Sequence, residues 1–324
     1  MPDDITYLEH AQDVLEKATD LIAQGEPFTL VTSIAIKGGT ARELGSLALV
    51  TASGEMIGYL SNGCIDQDIR LNAQRCLESN ERKIVHYGEG SPFPDLTLPC
   101  GGMLKVLLDP KPDPAALKTA YRKLAARTPA QLCFDTGGTS DLLTVEYAPK
   151  PKIVLAGRGA VFRATANMAG LSGFEVHCMS PDDSDVAAVG SSGAYPVQHL
   201  LSPNATPECP LDEWSAFLTL FHDHSWEPFL LQSALRTNCR FVGALGSQRT
   251  HEARKAVLRG MGCSPTDIDR IHGPVGLVSS LRSADLIAVA VVAELAASFS
   301  RSQRQVATHT STDDESAMVA QAAP

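Results

Sequence analysis

The second half of the chain alternates apolar runs with helical stretches, and this alternation is the feature that most constrains the fold. The apolar runs are KIVLAG, FEVHCMS, AFLTLF and CRFVGALG, with helices predicted after Gly159 and from Arg249. Strands that alternate with helices form a parallel sheet with helices on both faces. The pattern therefore predicts a Rossmann-like, doubly wound parallel sheet domain of the α/β class over residues 152–301.

The first half of the chain mixes the two periodicities in a different order. Apolar residues three and four positions apart predict an opening helix from Thr6 that ends at Gly25. Runs typical of strands follow, FTLVTSIAI, SLALVT and EMIGYLS, and later KIVHYGEG and MLKVLLD, with a short helix predicted from Cys64 between the two groups. This order predicts an α+β domain over residues 1–148.

Two segments outside these domains have loop composition. APKPK, from Ala148 to Lys152, has two prolines and two lysines and predicts a linker between the domains. Residues 302–324 are polar and small without periodicity, which predicts a disordered tail.

Composition excludes several classes of protein. The 324 residues are 44% apolar and 20% charged, as in soluble globular proteins, and a net charge of -10 without a Lys/Arg cluster argues against a nucleic-acid partner. The eight cysteines form no CxxC pair, which argues against a disulfide framework or a structural zinc site. The acidic start is unlike a signal peptide, and LIAVAVVAELAASF is too short for a membrane span. We therefore expect a cytoplasmic protein with reduced thiols and no membrane partner.

The turn in VLAGRGAVFRA is the clearest nucleotide-type signal. Gly157 and Gly159 follow an apolar strand and precede a helix, so backbone amides could approach a pyrophosphate at the helix N-terminus. Phe162 stands where the third glycine of the full fingerprint belongs, and Ser180 stands where a ribose-binding carboxylate is expected. The alternative is a Rossmann-like fold whose tight turn merely needs glycine.

The stretch FLTLFHDHSWE places polar side chains at the end of another predicted strand. His222, Asp223 and His224 could ligate a metal, move protons or hydrogen-bond a polar heterocycle. Alternatively, Asp223 could be the N-cap of the next helix, with the histidines in solvent.

A third turn lies in VGALGSQRTHEARK. Gly243 and Gly246 end a strand, and Ser247 and Arg249 open a helix, an arrangement that can hold a phosphate. An ordinary capped helix is the alternative. Because three such turns share one edge of the sheet, we expect a single ligand crevice there.

Two cysteines lie in loops of the first domain. Cys100 lies between a proline and the glycines Gly101 and Gly102, and Cys64 begins a predicted helix, where amide dipoles favour the thiolate. Composition alone favours the alternative, a buried and inert thiol.

At these residues the chain resembles the XdhC/CoxI family, the maturation factors of xanthine dehydrogenase and related molybdenum hydroxylases. The resemblance runs from Gly25 to Ala297 and follows the family's order of motifs: GGTARELGSLALV, YLSNGCIDQDI, LPCGGMLKV, VLAGRGAV, LFHDHSWE, FVGALGSQRTHEARK and IHGPVGL. Three residues depart from the family's usual pattern: Asn62 replaces a glycine, Ala160 a histidine and Ser180 an aspartate. Because of these departures, we do not expect this chain to bind NAD(P).

The resemblance implies a chaperone that binds molybdenum cofactor (molybdopterin), helps it receive sulfur from a cysteine desulfurase, and inserts it into apo-xanthine dehydrogenase or a related molybdoenzyme. Such a protein is a carrier more than a catalyst. A soft thiolate suits molybdenum or a persulfide, so Cys64 and Cys100 become candidate metal ligands. The candidate cofactor-binding residues are Cys64, Cys100, Gly101, Gly102, Gly157, Gly159, His222, Asp223, His224, Gly243, Gly246, Ser247 and Arg249.

Three other functions remain open at this stage. The Rossmann-like half alone favours an NAD(P)-dependent oxidoreductase. A persulfide on Cys100 or Cys64 would make the protein a sulfurtransferase, and a regulatory binding module is the third alternative. We also expect a homodimer, since homo-oligomers are common among soluble proteins.

Overall fold

The computed structural model describes residues 5–39, 42–61, 63–88, 102–136, 142–190, 195–204, 206–223, 225–300 and 306–310. The chain divides into two compact units, one made of Met1–Pro149 with Arg304–Pro324 and the other of Lys150–Gln303. The change from one unit to the other along the chain falls at Pro149 and Lys150, within the segment that the sequence predicts as a linker.

The N-terminal unit mixes antiparallel strands with helices, as the α+β prediction requires. Its strands are β1 (Ile5–Thr6), β2 (Phe28–Lys37), β3 (Leu47–Thr51), β4 (Met56–Gly58), β5 (Lys83–Gly88), β6 (Met103–Asp109), β7 (Ala130–Asp135) and β8 (Leu142–Tyr147). Its helices are α1 (Ala11–Gln24), α2 (Asp66–Ser79) and α3 (Pro114–Ala125). One six-stranded sheet has the order β1-β4-β3-β2-β6-β5, and β7 pairs with β8 as an antiparallel hairpin.

The N-terminal unit buries apolar side chains on both faces of the six-stranded sheet. Successive residues of a strand point to opposite faces, so Leu30 and Val31 of β2 lie in different core clusters. The cluster around Leu30 also contains residues of α1, α3, β7 and β8, whereas the cluster around Val31 contains residues of α2. Helices therefore cover the sheet on both sides.

The opening helix begins later than the apolar spacing predicts. His10 is the N-cap of α1, with its ring nitrogen accepting a hydrogen bond from the Gln12 amide at 3.2 Å, while Thr6 belongs to β1. Gly25 ends the helix in the left-handed region with φ of 73°, as the sequence predicts.

The C-terminal unit is a doubly wound parallel sheet, so the predicted fold class is confirmed. Its strands are β9 (Lys152–Gly157), β10 (Glu175–Ser180), β11 (Val197–His199), β12 (Ser215–Leu220), β13 (Phe241–Ala244) and β14 (Ile271–His272). Its helices are α4 (Gly159–Leu171), α5 (Asp183–Gly190), α6 (Glu227–Leu235), α7 (Gln248–Gly260), α8 (Pro265–Ile268) and α9 (Ala284–Ser300). The strand order β11-β10-β9-β12-β13-β14 reverses direction between β9 and β12, as in Rossmann folds.

Two predictions at the ends of the domains differ from the structure. Lys152 is not a linker residue, because it opens β9 and is only 3% exposed, with Nζ donating to the Pro210 carbonyl oxygen at 2.6 Å. Within the predicted disordered tail, Val306–Thr310 form β15, which pairs antiparallel with β8. Backbone pairing to an open strand edge leaves no periodic apolar signal, which is why composition alone missed it.

Among the described residues, no helix combines the length and the apolar character that crossing a membrane requires.

Candidate functional site

The strand order places the candidate residues of the C-terminal unit at the carboxyl edge of its sheet. In such sheets a ligand crevice opens where the strand order reverses, here between β9 and β12. The Gly157–Gly159 turn follows β9, and His222 and Asp223 follow β12. Arg158 Nη2 lies 3.5 Å from Asp223 Oδ2, so an ion pair connects the two turns across this point.

The two glycines of the first turn have different structural roles. A Cβ at Gly157 would lie 2.9 Å from both Cβ and the carbonyl oxygen of Leu220, so this glycine permits close packing of β9 against β12. Gly159 has φ of 77° and open space where a side chain would be. Glycine is therefore needed there for its left-handed backbone conformation and not for space.

Asp185 of α5 accepts the hydrogen bond from the Gly159 amide that a bound pyrophosphate would need. Its Oδ2 accepts a hydrogen bond from the Gly159 amide at 2.7 Å, and its Oδ1 pairs with Arg163 Nε. The carboxylate is only 2% exposed, so the Gly159 amide at the N-terminus of α4 already has an acceptor from inside the protein. The sequence reasoning missed this residue, because its partners Gly159 and Arg163 lie on another helix.

The end of β10 offers no carboxylate toward the crevice at the position expected for ribose binding. Ser180 is fully buried, and its hydroxyl accepts a hydrogen bond from the Asp182 amide at 3.2 Å. Asp182 in turn accepts hydrogen bonds from Ser184, which lower the pKa of its carboxyl group.

The loop after β12 exposes His222 and Asp223, whereas His224 lies outside the described residues. Asp223 Oδ1 accepts a hydrogen bond from the Ser225 amide at 3.0 Å, which closes a turn. The next helix, α6, has Trp226 as its N-cap, so the alternative reading of Asp223 as the helix cap is wrong.

A buried ion pair beneath this edge fixes the loops that carry the candidate residues. Glu227 of α6 and Arg254 of α7 approach to 3.0 Å, with side chains 2% and 4% exposed. Arg254 also donates to the Leu245 carbonyl oxygen at 2.7 Å and lies against His251. Burial lowers the pKa of His251, with Lys255 and Arg254 adding to that effect. Glu227, His251 and Arg254 fall inside the quoted motifs, but their roles require the folded arrangement.

The end of β13 and the turn after it each contain a glycine, Gly243 in the strand and Gly246 in the turn. A Cβ at Gly243 would lie 2.5 Å from Leu218 Cδ2, so Gly243 serves packing between strands. Gly246 has φ of 143°, and Ser247 is the N-cap of α7, with Oγ accepting from the Thr250 amide at 3.2 Å. Ser247 therefore caps a helix, as the alternative reading holds, while Arg249 next to it is exposed.

In the N-terminal unit, Cys64 is exposed on a loop that a buried carboxylate organises. Asp66, fully buried, accepts hydrogen bonds from the amides of Leu60 at 2.9 Å, Ser61 at 3.1 Å and Gly63 at 2.6 Å. The helix α2 begins at Asp66 rather than at Cys64. The loop is thus held by its own acid, and the thiol of Cys64 stays on the outside.

Of the other candidates in this unit, Gly102 is buried just before β6, and Cys100 and Gly101 lie outside the described residues. Within the part of the chain that the structure describes, no three His, Cys, Asp or Glu side chains come together as a metal site.

Arg158 is the candidate that the sequence reasoning missed at the crevice. Its Nε is buried and has no hydrogen-bond partner among the described residues, and its side chain is 38% exposed. An unsatisfied guanidinium donor favours a ligand with an anionic or carbonyl oxygen. The signal was available, because Arg158 is the residue between the two glycines of the first turn.

Comparisons with known proteins give one family match in each of the two units of the chain. The family described as the XdhC Rossmann domain matches residues 153–295, and the XdhC and CoxI family matches residues 21–88. The molybdenum cofactor insertion chaperone PaoD of Escherichia coli K12 is 28% identical over 309 residues, which cover 91% of each chain.

Two further proteins are similar over most of this chain. The uncharacterised protein YqeB of Escherichia coli K12 is 23% identical over 87% of this chain and 46% of its own length. A crystal structure from Bacillus halodurans, described as a xanthine dehydrogenase, superposes with a TM-score of 0.74 at 20% identity, covering 90% of this chain and 96% of that one. At that identity the superposition shows a shared fold.

Proposed function

Because the chain belongs to the XdhC and CoxI family, we propose that it is a molybdenum cofactor chaperone, which binds the cofactor and passes it to a molybdoenzyme. The observation that carries the proposal is the 28% identity with PaoD, a molybdenum cofactor insertion chaperone, over 91% of both chains. A match that extends from one domain through the other favours a shared role for the whole protein.

The chemistry of the candidate donors supports a cofactor with anionic oxygens and a soft metal. Arg158 has an unsatisfied Nε at the point where the sheet reverses, and Arg249 is exposed at the start of α7. These guanidinium groups would hold the anionic part of the cofactor. The exposed thiol of Cys64, and the thiol of Cys100, would serve molybdenum or its sulfur. When bound, the cofactor supplies a molybdenum centre that these soft donors protect.

The closed first turn supports cofactor carriage over dinucleotide chemistry. A dinucleotide needs free amides at the N-terminus of α4, and Asp185 already accepts the Gly159 hydrogen bond there. Phe162 and Ser180 replace two further parts of the usual nucleotide site. We therefore propose that NAD(P) binds weakly or not at all, and that an NAD(P)-dependent oxidoreductase is the less favoured function.

The finer parts of the role rest on the family resemblance. We propose that the protein supports sulfuration of the cofactor by a cysteine desulfurase. We also propose that it serves apo-xanthine dehydrogenase or a related molybdenum hydroxylase, and that it acts as a homodimer. A persulfide formed on Cys64 or Cys100 would instead make it a sulfurtransferase, which mass spectrometry after incubation with a desulfurase and cysteine would detect.

The test measures how much molybdenum cofactor each purified variant retains per folded chain. We expect Arg158→Gln, Cys64→Ser and Cys100→Ser each to lose about tenfold in retention, since each removes one charged or soft contact. Arg259→Gln, at the far end of α7, and Cys133→Ser, an exposed thiol on β7, are the matched controls and should retain the wild-type amount.

Melting temperature separates a lost contact from a damaged fold. Substitutions away from the core typically change stability by less than ~0.5 kcal/mol, and we expect all five variants to melt close to the wild type. Equal retention in Arg158→Gln and Arg259→Gln would contradict the assignment of Arg158. Lowered melting of Cys100→Ser with normal cofactor per folded chain would make Cys100 a structural thiol.

A further inference from the structure

A second group of reactive side chains lies at the amino end of β9 and β10, opposite the candidate site. Lys152 opens β9, and its register partner on β10 is Glu175, with His177 two residues further along. Cys209 lies in the segment between β11 and β12 and is partly exposed. None of these four residues has a part in the proposed cofactor site.

Polar contacts organise these four side chains. His177 Nε2 lies 2.7 Å from Glu175 Oε1. Lys152 is 3% exposed and donates to the Pro210 carbonyl oxygen at 2.6 Å, and the Cys209 thiol lies 3.8 Å from that same oxygen. A thiol, an imidazole and a carboxylate in sequence are the parts of an activated nucleophile, in which the carboxylate orients the base.

The charges of this set favour an ionised sulfur. Hydrogen bonds to Cys209 and then to Glu175 outweigh the effect of burial and raise the pKa of His177 to about 9. Burial raises the pKa of the Cys209 thiol, but His177 and Lys152 together outweigh it, so the net direction is downward. The arrangement therefore favours the thiolate form of Cys209 more than an isolated thiol would.

Three other cysteines show the opposite behaviour. Cys76, Cys178 and Cys239 are buried, and burial raises the pKa of each thiol. Cys64 and Cys133 are exposed, so a reagent can reach them, but neither lies in a set that combines imidazole, amine and carboxylate. Selective reaction at Cys209 would therefore reflect its neighbours and not its accessibility.

We propose that Cys209 is a nucleophilic site, in which His177 and Lys152 hold the sulfur as a thiolate that reacts covalently with soft electrophiles. With an alkyl halide, a bond forms between Sγ and carbon, the carbon–halogen bond breaks, and halide leaves with the electron pair. No net oxidation occurs and no co-reactant is needed. Glu175 is a positioning residue that keeps the imidazole in place.

Limited alkylation of the full-length protein with iodoacetamide at pH 7, followed by mass spectrometry of each cysteine peptide, tests the proposal. We expect Cys209 to react faster than Cys64 and Cys133, although it is less exposed. His177→Gln should slow Cys209 about tenfold, and Glu175→Gln about threefold, because each weakens the support for the thiolate. His199→Gln, an exposed histidine on β11, should leave the rate unchanged. Equal rates at Cys209 in wild type and His177→Gln would overturn the proposal.

The pH dependence of the Cys209 alkylation rate in the wild type tests the proposal even if a variant fails to fold. A free thiol such as glutathione, in the same tube, slows about tenfold for each pH unit below its pKa. The groups that face Cys209 are His177, Lys152 and Glu175, and together they should make its rate fall less steeply than that of glutathione from pH 8 to pH 6. A Cys209 rate that falls in parallel with glutathione would rule out the thiolate.

Discussion

Each unit of the protein has a turn whose backbone amides are bound by the chain's own aspartate, and the two turns differ in what they leave outside. Asp66 in the N-terminal unit accepts three amide hydrogen bonds and leaves the thiol of Cys64 exposed. Asp185 in the C-terminal unit accepts one, pairs with Arg163, and fills the place of a pyrophosphate oxygen. Asp66 therefore stabilises a loop on which Cys64 is exposed, whereas Asp185 occupies an amide at the N-terminus of α4.

This difference bears on the proposal that the Rossmann topology is kept here without a dinucleotide. The strand order and the glycine turn satisfy packing between β9 and β12, and that requirement holds whether or not a nucleotide binds. The turn after β9 then presents Arg158, 38% exposed, beside Asp223.

The largest effect is expected from Asp66→Ala. Three amides, two of them in buried residues, would lose their acceptor, so the free energy of unfolding should fall by about 4 kcal/mol, measured by urea denaturation. Asp113→Ala, which removes the exposed N-cap of α3, is the control and should cost about 1 kcal/mol. If the two substitutions cost the same, Asp66 does not organise the Cys64 loop.

Asp185→Ala should cost less, about 2 kcal/mol, because Arg163 is 40% exposed and can turn toward water. The Gly159 amide, without its acceptor, should then donate a hydrogen bond to an added anion. We expect millimolar pyrophosphate to raise the melting temperature of Asp185→Ala but not of the wild type. Equal stabilisation of both proteins would show that Asp185 does not close the turn.

A third carboxylate, that of Glu294, accepts an amide hydrogen bond at a mostly buried position, with its side chain 17% exposed. Glu294 accepts hydrogen bonds from His272 at 3.0 Å and from the Gly276 amide at 2.5 Å. Burial raises the pKa of Glu294, but these hydrogen bonds outweigh it and hold the pKa below its ordinary value of 4.5. We expect Glu294→Gln to cost about 1 kcal/mol at neutral pH.

The pH dependence of that cost follows from the lowered pKa. A carboxyl group with a lowered folded-state pKa stabilises the fold above its unfolded pKa, and this stabilisation is lost as pH falls through the folded value. The stability difference between wild type and Glu294→Gln should therefore shrink below pH 4.5. Glu252→Gln, an exposed glutamate of α7, should show no such change, and a constant difference for Glu294→Gln would contradict the pairing.

The regular elements of the fold could be predicted from local patterns. The apolar runs of β2, β6, β9 and β12 and the capping glycine of α1 follow directly from residue spacing, since strands and helices impose their own periods. The strand β15 could not be predicted this way, because its pairing with β8 joins segments far apart in the sequence.

Sequence patterns could predict only those parts of the candidate site whose contacts are made within a few residues along the chain. The turns at Gly159 and Ser247 are local, and the sequence indicated both of them. Asp185, the Glu227–Arg254 pair and the set around Cys209 depend on contacts between elements, so spacing carries no direct signal for them. Gly157 and Gly243 resemble ligand-binding glycines in sequence but serve packing against neighbouring strands.

The most direct test of the account is to purify the full-length protein from cells that make molybdenum cofactor, release its small molecules with acid, and identify them. We expect a pterin derived from molybdenum cofactor at about one per chain, and no nicotinamide dinucleotide, because Asp185 occupies the first turn of the Rossmann unit. A sample that releases NAD or NADP and no pterin would contradict the account.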